Sequence, residues 1–143
     1  MKYYIIAGEV SGDLHASYLM KEIKFWDETA EFRAWGGDRM QNEGATLVKH
    51  IKDMNFMGFV EVLANLKAIL NNLRECKKDI LAYNPDCVIF VDYPGFNLRI
   101  ASFCHLKGFK TFYYISPKVW AWKKGRIAVM KKVLTKLFVL SKI

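Results

Sequence analysis

Residues 85–97, PDCVIFVDYPGFN, set a fully apolar run, a carboxylate and a turn in immediate succession. No other stretch narrows the fold as much. Residues 87–91 are continuously apolar between Pro85 and Pro94, the pattern of a strand covered on both faces of a parallel sheet. Such sheets bind ligands in the crevice beyond the carboxyl ends of their strands, and Asp92 stands at that end. A carboxylate there can meet a substrate; the plainer alternative is a turn or cap residue. Pro94 and Gly95 break the strand, and Asn97 is expected to cap a helix over residues 98–107.

The start of the chain repeats the pattern. Residues 3–7 (YYIIA) end in Gly8, and residues 9–13 (EVSGD) lead into a helical pattern through Phe25. Gly8 and Gly12 allow the backbone close to a ligand, while Ser11 or Asp13 can cap the helix and leave its free N–H groups facing the crevice. The turn is neither GxGxxG nor GxxxxGK[ST], which counts against an NAD enzyme and an NTPase. Residues 31–35 (EFRAW) read as a second strand ending in Gly36, Gly37 and Asp38, with a short helix at 40–44 and a third strand at 45–48. Two strands thus end in glycine-plus-acid turns, pointing to one shared crevice or to ordinary turn chemistry.

Residues 54–63 (MNFMGFVEVL) carry seven apolar residues of ten and run into a helical pattern ending at Tyr83. Phe59, Leu63, Leu66, Leu70 and Leu73, at 4-3-4-3 spacing, are the expected sheet-facing stripe. Phe56, Met57, Val60 and Val62 fall largely outside it and are either core or a face for a bilayer or acyl chains. Residues 110–115 are the next strand, followed by Ser116 and by KVWAWKKG, two tryptophans among lysines that could stack on a sugar or base or sit at a membrane interface. Residues 127–134 read as a basic helix and 137–140 as a last strand.

With 143 residues and 52% hydrophobic content, a single domain with a substantial core is expected. Cys76, Cys87 and Cys104 have neither disulfide nor metal-ligand spacing and read as core thiols of a reducing compartment. No signal peptide and no transmembrane run is visible, so a cytoplasmic protein is expected. Residues 1–92 hold 11 basic and 14 acidic side chains, whereas residues 93–143 hold 11 basic and none acidic. That basic third can attract phosphate, nucleic acid or an anionic membrane, or is a solvated face.

Taken together, AGEVSGDLHA (7–16), WGGDRM (35–40), MNFMGFVEVL (54–63), VDYPGFNLRIA (91–101) and YYISPKVWAWKKGR (113–126) resemble the lipid A disaccharide synthase family, in the same order and from residue 3 to about 140. The resemblance implies an α/β fold, a Rossmann-like three-layer parallel sheet that forms the N-terminal, acceptor-side domain of a GT-B glycosyltransferase. The UDP-binding C-terminal domain of the family is not among these residues. It also implies an inverting transfer of 2,3-diacylglucosamine from UDP-2,3-diacylglucosamine to 2,3-diacylglucosamine 1-phosphate, in the lipid A and lipopolysaccharide biosynthesis of Gram-negative bacteria.

Asp92 matches the family's proposed base, which takes the proton of the attacking hydroxyl. Gly95 stands where the family often has a second Asp, so a two-carboxylate scheme is not carried over. Glu9, Ser11, Gly12 and Asp13 match the first glycine turn, Asn97 the turn after Asp92, and Ser116, Trp120 and Trp122 the SPxVWAW motif; these are the expected substrate-binding residues. His15 is either ligand-facing or structural. Because both substrates are acylated, the resemblance favours membrane or acyl contact for Phe56, Met57, Val60 and Val62. It places the protein peripherally on the cytoplasmic face of the inner membrane, held partly by its basic segment. No metal, no cofactor and no nucleic-acid partner are expected, and a homo-oligomer is compatible with the sequence. The competing readings are a non-catalytic lipid- or nucleotide-sugar-binding module and, on WAWKKGR alone, a nucleic-acid binder.

Overall fold

The computed structural model describes residues 1–54, 65–115 and 124–139. Within them six strands alternate with helices. They are β1 (Lys2–Ala7), α1 (Val10–Trp26), β2 (Glu31–Gly36), α2 (Asp38–Asn42), β3 (Thr46–His50), α3 (Leu66–Tyr83), β4 (Cys87–Val91), α4 (Pro94–Leu106), β5 (Lys110–Ile115), α5 (Lys124–Val133) and β6 (Lys136–Val139). The strands form one sheet in the order β3-β2-β1-β4-β5-β6, every neighbouring pair parallel. The order reverses between β1 and β4. Chain direction at this switch leaves a crevice at the carboxyl ends of those two strands.

Alternation along the central strands feeds two cores. Ile5, Ala7, Ile89 and Val91 face α1 and α2, while Tyr4, Ile6, Val88 and Phe90 face α3, α4 and α5. Ile5, Ile6 and Phe90 are wholly buried, each stabilising the fold by about 1.5–3 kcal/mol relative to exposure. The three-layer α/β architecture is therefore the observed one. All three cysteines are free and buried; burial pushes Cys87 up to about 11 and Cys104 to about 12, so both stay protonated and unreactive at neutral pH.

A polar chain crosses the second core. The Trp35 indole N–H donates to Tyr4 Oη at 2.9 Å, and that hydroxyl donates to Asp79 at 2.8 Å. Arg33 closes it with two 2.7 Å bonds to the Asp79 carboxylate, tying β2 to α3. Burial pushes the Asp79 carboxyl up, but the Arg33 and Tyr4 bonds outweigh it and hold it below the usual carboxylate range.

Several local expectations are corrected. Helix α4 starts at Pro94, four residues before the predicted start, because proline at a first helical position costs no intrahelical bond and already has a helical φ. Asn97 therefore lies inside its first turn and caps nothing. In α3 the buried side chains are Asn72, Leu73, Cys76 and Ile80, whereas Leu66 and Leu70 are 55% and 49% exposed. A second 4-3-4-3 stripe (Ile69, Leu73, Cys76, Ile80, Tyr83) runs along the same helix, and that one packs on the sheet. Phe59, Leu63 and the predicted acyl-contact residues Phe56, Met57, Val60 and Val62 lie outside the described residues, while Met54 is buried. No helix among the described residues is long and apolar enough to cross a membrane.

Candidate functional site

At the switch point, the register pairs Ala7 with Val91, so the turns after β1 and β4 leave the sheet side by side. Gly8 opens the first turn. A Cβ there would fall 2.3 Å from the Tyr93 ring, so the glycine makes room for an aromatic side chain rather than for a ligand. The Tyr93 hydroxyl, at 3.4 Å from the Met54 carbonyl, points toward the end of the β3 connection, and burial followed by the negative charge of Glu9 raises its pKa. Glu9 is thus a neighbour of Tyr93. Glu9, Val10 and Ser11 are exposed at the rim, and Gly12 is buried. A Cβ on Gly12 would lie 3.3 Å from Ala7 Cβ and 3.6 Å from the Val91 carbonyl, so this glycine lets α1 settle on the ends of β1 and β4.

Asp13 behaves differently from expectation. Helix α1 begins at Val10 with Glu9 at its cap position and no side-chain cap, so neither Ser11 nor Asp13 caps it. Asp13 is instead 4% exposed and accepts backbone N–H bonds from Gly37 at 2.8 Å, Arg39 at 3.1 Å and Met40 at 3.1 Å. Its carboxylate caps α2 from the side. The two glycine turns are adjacent, as expected, and Asp13 is the link between them.

Asp92 follows the last residue of β4, at the switch point. Its N–H continues the ladder to the Tyr114 carbonyl at 2.8 Å, and its own carbonyl accepts from Tyr113 Oη at 2.6 Å and Asn97 Nδ2 at 2.9 Å. The residue is 5% exposed and left-handed, with φ 46°, and Tyr93 follows with φ 49°. Two successive non-glycine residues in this region cost about 1–3 kcal/mol each, a strain that clusters at functional sites. Asn97 is wholly buried and also directs Nδ2 at the Ile6 carbonyl, 3.2 Å away. Tyr93 and Tyr113 escaped sequence reading. Only the alternation of residues 113 and 114 across β5, together with the β4–β5 register, could have aimed Tyr113 at Asp92. Ser116, Trp120 and Trp122 lie outside the described residues.

A family model described as Lipid-A-disaccharide synthetase matches residues 3–141. The chain belongs to the lipid-A-disaccharide synthetase family. Family relatives named lipid-A-disaccharide synthase include those of Geobacter metallireducens (40% identical over 135 residues, 94% of this chain and 35% of that protein) and Chromohalobacter salexigens (39% over 132 residues, 92% and 34%). The chain spans about a third of the length of these synthases and matches their N-terminal part.

In fold, this synthetase-family chain is similar to UDP-GlcNAc 2-epimerase from Neisseria meningitidis bound to UDP-GlcNAc, with a TM-score of 0.65 at 9% identity over 97% of this chain and 40% of that one. A putative UDP-N-acetylglucosamine 2-epimerase from Listeria monocytogenes gives 0.63 at 10%, over 97% and 39%. The likeness is one of architecture. It agrees with the GT-B type of Rossmann-like domain that the motifs imply.

Proposed function

We propose that these residues are the acceptor-side, N-terminal part of a lipid-A-disaccharide synthase. The reaction is transfer of 2,3-diacylglucosamine from its UDP donor to 2,3-diacylglucosamine 1-phosphate, with inversion at the anomeric carbon. The observation that carries it is Asp92, a carboxylate in a left-handed turn where β1 and β4 end side by side at the switch point. Asp92 takes the proton of the acceptor hydroxyl while that oxygen bonds to the donor's anomeric carbon. The bond from that carbon to the diphosphate oxygen breaks, and UDP departs with the electron pair. Glu9 and Ser11, exposed on the rim, and Ser116, Trp120 and Trp122 are assigned to acceptor binding. Asp13 and Gly12 support the turn from beneath. The surfaces that grip UDP belong, on this reading, to the part of the relatives' length that the chain does not span.

Both substrates carry acyl chains, so a peripheral attachment to an anionic membrane accompanies the reading. Leu66 and Leu70, exposed one turn apart where α3 emerges from residues 55–64, support it. Exposed Lys131 and Lys132 at the end of α5 add the charge that an anionic surface attracts.

The test is transfer by a protein in which these residues continue into the remaining two thirds of the Geobacter metallireducens relative. Asp92→Asn is expected to lower turnover by at least about 10²-fold with the fold intact, the usual worth of a general base being 10²–10⁴. Turnover near normal removes Asp92 from the base role. Residues 1–143 alone are expected to show background transfer, since the donor must be held about 3–3.5 Å from the attacking oxygen. Transfer by that chain alone overturns the division of labour.

A further inference from the structure

We propose that Tyr113 and Asn97 are positioning residues for Asp92, an inference that rests on the base reading above. Together they pin its main-chain carbonyl so that the left-handed turn, and with it the direction of the carboxylate, has one conformation. The argument begins with what fixes a side chain's direction. A Cα–Cβ bond points where the φ and ψ of its residue send it, and here both flanking peptide groups of Asp92 are held. The Asp92 N–H is tied to the Tyr114 carbonyl as the last rung between β4 and β5. On the other side, Tyr113 Oη and Asn97 Nδ2 converge on the Asp92 carbonyl at 2.6 and 2.9 Å. Released from those two donors, the peptide after Asp92 is free to rotate toward the extended and right-handed regions that an aspartate prefers.

Each donor is itself held in place. Tyr113 is wholly buried and its ring lies 5.7 Å from that of Phe90, its register partner on β4. Asn97 sits in the first turn of α4 with Nδ2 near three carbonyls, those of Ile6, Val91 and Asp92. Three acceptors on one side dictate that the amide nitrogen faces them. The consequence is an Oδ1 that is buried without a hydrogen-bond partner among the described residues. An aliphatic residue would fill the space without an orphaned acceptor, so the asparagine is explained by its donor and not by packing. The motif-based expectation that Asn97 binds substrate is replaced by this role: the side chain is 0% exposed, and its donor is spent on the backbone.

Two measurements test the proposal. In residues 1–143, Tyr113→Phe and Asn97→Ala are expected to shift the Asp92 and Tyr93 backbone resonances away from left-handed values, or to broaden them by exchange, while β2 and β3 resonances stay put. Unchanged resonances at 92 and 93 in both variants overturn the proposal. In the longer protein, Tyr113→Phe is expected to lower kcat by about 10-fold with KM changed less than about 2-fold, because misplacing a reacting group by about 1 Å costs up to 10²-fold. In an Asp92→Asn background the same substitution is expected to change kcat by less than about 2-fold, since a residue acting through Asp92 has nothing left to position. An equal loss in both backgrounds means Tyr113 serves only the fold, and the proposal fails. An inactive Asp92→Asn beside a fully active Tyr113→Phe overturns the positioning alone, whereas a fully active Asp92→Asn overturns the base reading beneath it.

Discussion

The Asp13 carboxylate accepts the Gly37 N–H at 2.8 Å, joining the turn after β1 to the turn after β2 across 24 residues of sequence. A Cβ on Gly37 would stand 2.6 Å from Asp13 Oδ2, so the glycine and the carboxylate need one another. Asp13→Ala leaves three backbone donors of the β2–α2 turn without this acceptor, at a cost of about 2–3 kcal/mol. Asp13→Asn, which keeps one acceptor oxygen, is expected to cost about half of that. Urea denaturation of the purified chain measures both, and a loss below about 0.5 kcal/mol for Asp13→Ala contradicts the assignment.

Gly8 and Tyr93 form a second matched pair. Gly8→Ala drives a methyl into the Tyr93 ring and is expected to destabilise the chain by about 1–3 kcal/mol, as overpacking does. In a Tyr93→Ala background the same change should be close to neutral. A double-mutant cycle on thermal unfolding reads the coupling, and additive losses would show that Gly8 is required for another reason.

The Arg33–Asp79 pair carries a pH signature. The Asp79 carboxyl is lowered in the folded chain, so its contribution is fully present above the unfolded value near 3.8 and is lost as pH falls through the lower folded value. Asp79→Asn is therefore expected to lower Tm at pH 7 and to narrow the gap from the parent as the pH drops below about 4. A gap that stays constant from pH 7 to pH 3 excludes the linkage.

Membrane attachment predicts two separable components. Binding of the chain to vesicles rich in anionic lipid should weaken as salt rises, because screening shortens the reach of Lys131 and Lys132. Changing Phe56 and Met57 to Ser, or Leu66 and Leu70 to Ser, should reduce what remains at high salt. Unfolding by the Phe56 and Met57 changes would assign residues 55–64 to the core.

What was legible in the sequence is what short-range pattern controls. Strand β4 stands where its apolar run stands, and the place of Asp92 at its carboxyl end follows from that. The start of the helix at Pro94 is hidden in the sequence because proline reads as a breaker, although at a first helical position it starts a helix. The sheet-facing stripe of α3 is ambiguous in the sequence because two apolar stripes share one helix. Periodicity shows that a helix has an apolar face, and the sheet decides which face it is.

By itself the sequence determined the α/β class, the positions of the short apolar strands, the buried thiols and the family motifs, since each depends on residues close together along the chain. Tertiary structure alone decided how the motif residues divide their work. Asp13 caps a neighbouring helix, Gly8 yields to Tyr93, and Asn97 with Tyr113 holds the backbone of Asp92. Those partners lie 5 to 85 residues apart in sequence, and the distant ones meet because β2, β1, β4 and β5 are neighbours in register. A hydrogen bond or a van der Waals contact is a fact of distance in space, and the folded sheet sets that distance.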